Sequence, residues 1–212
     1  MKKSTNILIG VGAFALGLTV IYLFTKDKNG SKPKASGGNS ILFIGDSNTA
    51  SNVSYADQLK KAFPKLKTKK IAKVGEKTDW MKTQLANELK DNKYSVVAVL
   101  GGSNDIYALG KIDSAKKNLD AMYKMIHDSG AKVLAVTPPN KDYYVKKTEQ
   151  KQKLLSDLID WMKGNSNVDY LVDFHKITND KKYFSSNDGY LHANASAHKI
   201  LADQTKQKLN LV

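Results

Sequence analysis

Beyond residue 39 the chain alternates short apolar runs with longer stretches in which apolar positions recur every three to four residues. The runs Ile41–Ile44, Lys70–Val74, Ser95–Leu100, Lys132–Val136 and Tyr170–Phe174 predict β-strands. The stretches Tyr55–Phe63, Asp79–Lys90, Asp113–Asp128, Lys147–Lys163 and Ala195–Leu209 predict amphipathic helices. Leu154, Leu155, Leu158, Ile159 and Met162 form the clearest helical stripe, and Trp161 borders it as a core residue. Short strands alternating with helices imply an α/β fold, a parallel sheet of about five strands covered by helices on both faces. The chain shows no internal repeat.

Ahead of this pattern lies an uncharged apolar run of 18 residues, Ile7 to Phe24. As a helix it would extend about 27 Å at roughly 1.5 Å per residue, enough for a thin hydrocarbon core. We read residues 1–24 as a membrane anchor, a single-pass transmembrane helix with Tyr22 near one interface. A cleaved signal peptide is the competing reading, but its apolar stretch is shorter and a small-x-small site should follow, where Thr25-Lys26-Asp27-Lys28 stands instead. Lys2 and Lys3 precede the span and Lys26, Lys28, Lys32 and Lys34 follow it, so lysine bias does not itself favour an external carboxyl end. Residues 25–39, rich in Gly, Ser and Lys, read as a flexible linker, which leaves residues 40–212 as one globular domain with a sizeable core.

Composition narrows the chemistry. Cysteine is absent, which removes disulfides, thiolate metal sites and a cysteine nucleophile. His127, His175, His192 and His198 are the only histidines and show no metal-ligand spacing. The net charge is +14, and all 34 basic residues are Lys. Without Arg, and with lysines scattered as at Lys65, Lys67, Lys69, Lys70, Lys146 and Lys147, nucleic acid is not the expected partner. A solvated lysine surface is the plainer reading, and attraction to an anionic envelope surface the functional one.

The first strand ends abruptly in Gly45-Asp46-Ser47. A Gly-flanked Ser at the end of a buried strand sits where α/β proteins place their chemistry, although Gly-Asp-Ser also makes a good turn. Further short blocks come after later strands or precede a helix: Val74-Gly75-Glu76-Lys77-Thr78, Gly101-Gly102-Ser103-Asn104-Asp105, and Asp188-Gly-Tyr-Leu-His192-Ala-Asn-Ala. All should gather on one edge of the sheet. A Ser hydroxyl needs a neutral imidazole to take its proton, and His, with a reference pKa near 6.5, can do this near neutral pH.

Taken in order, these four blocks resemble the SGNH, or GDSL-type, hydrolase family over the whole of Ser40 to the carboxyl end. The resemblance implies a flavodoxin-like three-layer α/β/α sandwich. It places the nucleophile on Ser47, the base on His192 and the orienting acid on Asp188. It draws the oxyanion hole from the backbone of Ser47 and Gly75 and the side chain of Asn104, with Gly45, Asp46, Gly102 and Asp105 as supporting motif residues. Two departures stand out: the second block carries less Gly and Ser than usual, and the closing block reads Asp-x-x-x-His, one residue longer than the common Asp-x-x-His. In a helical turn i+3 and i+4 share a face with i, so the pair remains feasible. His198 is an outside candidate for the base, His127 and His175 read as structural, and Trp80, Tyr143 and Tyr144 could wall the mouth.

Together with the apolar run, the resemblance implies a membrane-tethered serine esterase acting through an acyl-enzyme, and it implies no metal or organic cofactor. The expected substrate is an ester at the cell envelope, short acyl groups on an acetylated polysaccharide, with the domain outside the cytoplasm. A lysophospholipase or thioesterase-type lipid hydrolase, or a noncatalytic anchored protein on the same scaffold, are the alternatives.

Overall fold

The computed structural model of the chain describes residues 8–10, 22–24 and 40–211. Within residues 7–24 the described triplets Leu8–Gly10 (β1) and Tyr22–Phe24 (β2) pair as antiparallel strands, Leu8 opposite Phe24. The rest of the expected anchor and all of the linker up to residue 39 lie outside the described residues. Among the described residues no helix is long and apolar enough to cross a membrane.

The domain is built on five parallel strands, Ser40–Gly45 (β3), Lys67–Ala72 (β4), Val96–Leu100 (β5), Lys132–Val136 (β6) and Tyr170–Val172 (β7), in the order β4-β3-β5-β6-β7. This is the flavodoxin-like order, in which the chain reverses its direction of travel at the first strand of the sheet. β3 therefore lies between β4 and β5, with Ile41 opposite both Thr68 and Val96. Alternate residues of the central strands feed two cores. Leu42, Ile44, Val97, Val99, Val133 and Ala135 pack under helices Thr78–Asp91 (α3), Ile112–Asp128 (α5) and Glu149–Gly164 (α6). Ile41, Phe43, Val96, Ala98, Leu134 and Val136 pack under Tyr55–Ala62 (α2) and Ala195–Leu209 (α8). Trp161 stacks on buried Tyr123 with ring centroids 6.4 Å apart, at the edge of the first core as its stripe position predicts.

Most predicted elements agree with the structure within one or two residues. The clearest shift is β4, predicted at Lys70–Val74 but found at Lys67–Ala72, because Lys67, Lys69 and Lys70 occupy an edge strand whose outer positions face water. Lysines on an edge also discourage pairing with a second chain. Three short helices lie outside the predicted set: Ser47–Ala50 (α1), Ser103–Leu109 (α4) and Phe174–Ile177 (α7). At four to seven residues they are too short to show a helical period.

His198 opens α8 with its ring buried between Tyr55 and Phe174, at centroid distances of 6.5 and 5.4 Å. Burial, helped by the nearby His192, pushes its pKa down from 6.5 to about 4. Its folded value is depressed, so this contribution to stability is complete above pH 6.5 and is lost as pH falls towards 4, where the unfolded chain is protonated first. His198→Phe keeps the aromatic packing and should flatten that part of the acid-stability curve by on the order of 1–3 kcal/mol, measured by urea unfolding across that window.

Candidate active site

The carboxyl ends of β3 and β5 flank the point where the strand order reverses, the position at which open α/β sheets form their ligand crevice. Gly45 ends β3 there. A Cβ on Gly45 would lie 2.2 Å from Thr49 Oγ1 and 2.8 Å from the Leu100 carbonyl oxygen, so only glycine lets α1 fold back this tightly. Asp46 caps α1, its Oδ1 accepting the Asn48 N–H at 2.9 Å. That cap turns Ser47 to the surface edge at the first position of α1.

Ser47 meets His192, which meets Asp188. The Ser47 hydroxyl lies 2.8 Å from His192 Nε2, and His192 Nδ1 lies 2.7 Å from Asp188 Oδ2. Asn48 Oδ1 reaches the Ala193 N–H at 3.4 Å, joining the turn of the first block to the residue after His192. His198 faces the aromatic core instead of Ser47, so the outside candidate is not the residue brought to the serine.

The longer Asp-x-x-x-His spacing has a backbone explanation. Asp188 closes a short 3₁₀ turn, Ser186–Asp188, and the next two residues, Gly189 and Tyr190, are both left-handed, with φ of 68° and 62°. Two successive residues of this kind coil the extra length outward, while Asp188 Oδ1 accepts the Leu191 N–H at 3.0 Å. Left-handed backbone is costly for a residue with a side chain such as Tyr190 and persists only where its surroundings enforce it. Here Ser185 N–H donates to the His192 carbonyl at 3.0 Å and Tyr190 N–H to the Ser185 carbonyl at 3.0 Å.

The second and third blocks are also tied together. Gly75 has φ of +78°, a conformation that suits glycine. Asn104 Nδ2 donates to the Glu76 carbonyl at 2.8 Å, next to Gly75, and leaves its second amide hydrogen unused by that bond. Asp105 is 2 % exposed and accepts both the Thr78 N–H, at 3.1 Å, and the Thr78 hydroxyl, at 2.7 Å. It thus serves the start of α3, where the Lys77 cap offers no side-chain bond of its own. Burial pushes the Asp105 carboxyl up, and the Thr78 bonds oppose that shift. Gly102, with φ of 106°, turns the chain into α4 and places Ser103 so that its hydroxyl donates to Asp46 Oδ2 at 3.2 Å.

A groove of about 450 Å³ opens beside Ser47, its lining including Ala50, Ser51, Val53, Val74, Asn194 and Ala195 together with the serine, His192 and His198. Contrary to the expectation from the sequence, Trp80, Tyr143 and Tyr144 do not wall it. Trp80 packs against the first core with Lys73 over its ring, Tyr143 donates to the Asn179 carbonyl, and Tyr144 packs edge-on to Tyr107. His127 bonds Asp169 at 2.7 Å, and in α7 the His175 N–H donates to Thr137 Oγ1 at 3.0 Å. A buried residue that the sequence does not single out is Lys141, 3 % exposed, whose Nζ donates to the Leu191 carbonyl at 2.5 Å.

A serine, an imidazole and a carboxylate in hydrogen-bonded sequence at the carboxyl edge of a doubly wound sheet define a site of the serine-hydrolase kind. Residues 38–200 match the GDSL-like lipase/acylhydrolase family model, and the chain belongs to that family as a serine ester hydrolase. No curated protein matches the chain. Solved structures similar to it include a member of the lipolytic protein G-D-S-L family from Veillonella parvula, with a TM-score of 0.70 at 13 % identity, covering 82 % of this chain and 99 % of that one. A catalytic mutant of Axe2, an acetylxylan esterase from Geobacillus stearothermophilus, superposes with a TM-score of 0.65 at 16 % identity, covering 85 % and 98 %. The psychrotrophic esterase EstA from a Pseudoalteromonas species has a TM-score of 0.65 at 17 % identity, covering 81 % and 97 %.

Asp105→Ala should leave the Thr78 donors without their buried acceptor. A loss of about 2–4 kcal/mol in urea-unfolding stability is expected, and a loss below about 0.5 kcal/mol would show that the tie carries no weight.

Proposed function

We propose that Ser47 attacks the carbonyl of a short-chain ester, with His192 as the general base and Asp188 orienting it. The observation that carries this reading is the unbroken Ser47–His192–Asp188 row, with bonds of 2.8 and 2.7 Å. His192 Nε2 takes the hydroxyl proton as Ser47 Oγ bonds to the carbonyl carbon, then delivers it to the departing alcohol oxygen. Water, deprotonated by the same nitrogen, adds to the acyl-enzyme and releases the acid and free Ser47. The oxyanion is held by the Ser47 and Gly75 N–H groups and the second Asn104 amide hydrogen. Each such donor is typically worth about 2.7–4 kcal/mol in the transition state.

The substrate we assign is a short acyl group, such as acetyl, on an envelope carbohydrate. The groove is lined by small side chains such as Ala50, Ser51 and Ala195, which suit a small acyl group. Its similarity to an acetylxylan esterase supports the same choice. We further assign residues 7–24 as a membrane anchor that holds the domain outside the cytoplasm, supported by the uncharged run of 18 residues.

Ser47→Ala should lower kcat/KM for p-nitrophenyl acetate by several orders of magnitude. His192→Ala should cost nearly as much, and the double variant little more, because the two groups act as a unit. Activity of Ser47→Ala within about tenfold of wild type would remove Ser47 from the role. Across a p-nitrophenyl ester series, acetyl and butyryl should outpace decanoyl in kcat/KM. A clear preference for decanoyl would replace the carbohydrate reading by a lipid-hydrolase one.

Removing residues 1–39 should leave a folded, detergent-free, active domain. Failure of that fragment to unfold cooperatively would show that the leading segment belongs to the fold.

A further inference from the structure

Lys141 comes after β6 on the catalytic edge, and burial of an ammonium there is costly unless its hydrogens and charge are met. Its Nζ meets the Leu191 carbonyl at 2.5 Å, the peptide group that leads directly into His192. The charges of Asp46, in the β3–α1 turn, and Asp188, in the closing turn, act on it without a direct ion pair. Asp142, next on its own loop, is engaged elsewhere: its carboxylate accepts from Asn140 at 3.0 Å and Gln152 at 2.6 Å, and its carbonyl accepts from Lys147. The Lys141 charge is therefore offset by the carboxylate at the Ser47 turn and by the carboxylate bonded to His192.

The closing turn makes such a group necessary. Gly189 and Tyr190 are both left-handed, so the extra residue of Asp-x-x-x-His leaves the Leu191 carbonyl turned into the protein. An inward carbonyl without a donor would swing out towards water and rotate the Leu191–His192 peptide with it. That rotation would carry the imidazole off the Ser47 line.

We propose that Lys141 is a positioning residue for ester hydrolysis: by holding the Leu191 carbonyl, it fixes the His192 ring against Ser47 in a closing turn one residue longer than usual. The proposal rests on the roles assigned above to Ser47, His192 and Asp188. It gives Lys141 no part in bond making or breaking. Burial lowers its pKa from 10.5 to about 8, against the pull of the two carboxylates. The ammonium is thus charged at neutral pH and loses its proton in the mildly alkaline range.

The test uses the full chain with p-nitrophenyl acetate, alongside labelling of Ser47 by a fluorophosphonate probe and thermal melting. Lys141→Met should lower kcat roughly 10- to 100-fold, the scale on which small misplacements of a reacting group act, with KM within about threefold of wild type. Asp46→Asn combined with Lys141→Met removes both buried charges, keeps an Asn cap on α1, and should regain melting temperature but not kcat. A purely structural lysine would give the opposite pattern, with kcat regained along with stability. In the wild type, kcat should fall on the alkaline side with a midpoint near pH 8, an arm missing from both variants. Either folded variant with kcat within twofold of wild type overturns the proposal, as does an alkaline arm that persists in it. If neither variant folds, a wild-type profile with no fall between about pH 7 and about pH 9.5 overturns it. Wild-type protein that the probe does not label at Ser47 overturns the site assignment, and the proposal with it. Labelled wild type with unchanged variant kinetics overturns the proposal alone.

Discussion

The carboxyl edge of the sheet around Ser47 is organised around one buried carboxylate, Asp46, which is 1 % exposed. Taking an ionised carboxylate out of water costs several kcal/mol unless its lone pairs are met. Here they are met by the Asn48 N–H at 2.9 Å and the Ser103 hydroxyl at 3.2 Å, with the Lys141 charge nearby. Burial still pushes the Asp46 carboxyl up, so the donors offset the desolvation only in part. The two donors and the charge come from different pieces of the edge. Asn48 belongs to α1, Ser103 to the turn after β5, and Lys141 to the loop after β6. A group bonded by two separate segments and held under the charge of a third allows those segments few mutual arrangements. The position of Ser47 is one consequence.

The sheet supplies the frame for that convergence. Because β3 is central and β4 lies on its far side, the loops after β3 and β5 leave in opposite directions and open a crevice between them. Gly45 brings α1 close enough that Asp46 N–H donates to the Leu100 carbonyl at 3.3 Å, across to β5. The third block then reaches back to the second through Asp105 and Asn104. Short polar ties between neighbouring strand ends, rather than an apolar core, hold this edge, since it must face water to receive a substrate.

Much of this was legible in the sequence because buried strands and motif blocks carry strong local signals. The runs ILFIG and VVAVL announced β3 and β5, and the blocks at Ser47, Gly75, Asn104 and His192 fell after strands or before a helix as expected. The amino-terminal half of β4 was not legible, because edge lysines mask the strand alternation. The Asp188-Gly189 dipeptide hinted at a turn, but the left-handed Tyr190 that completes it had no local sign. Lys141 was invisible for a different reason. Nothing local separates this lysine, buried among the described residues, from the exposed lysines around it. Its environment is made by Asp46, Asp188 and Leu191, which lie roughly 50 or more residues away in the chain and meet it only after the sheet has formed.

The closing turn shows how one extra residue can be accommodated without moving the chemistry. A residue inserted into a helix would rotate everything after it by about 100°, whereas one inserted into a turn can be absorbed by a local change of φ. Here the change is localised to Gly189 and Tyr190, and both ends of the insertion are pinned. The Val145 N–H donates to the Gly189 carbonyl at 3.2 Å on one side, and the Ser185 N–H donates to the His192 carbonyl at 3.0 Å on the other. Between the pins the backbone takes a conformation it would avoid in isolation, with the Lys181 ammonium 4.2 Å from the Tyr190 ring centroid outside and the Lys141 ammonium on the Leu191 carbonyl inside. Strain of this kind is tolerable because it is spread over contacts that do not include Ser47, His192 Nε2 or Asp188 Oδ2. The Ser47–His192–Asp188 row is therefore left with ordinary bond lengths, 2.8 and 2.7 Å, while the adjustment lies at Gly189 and Tyr190, in the backbone between Asp188 and His192.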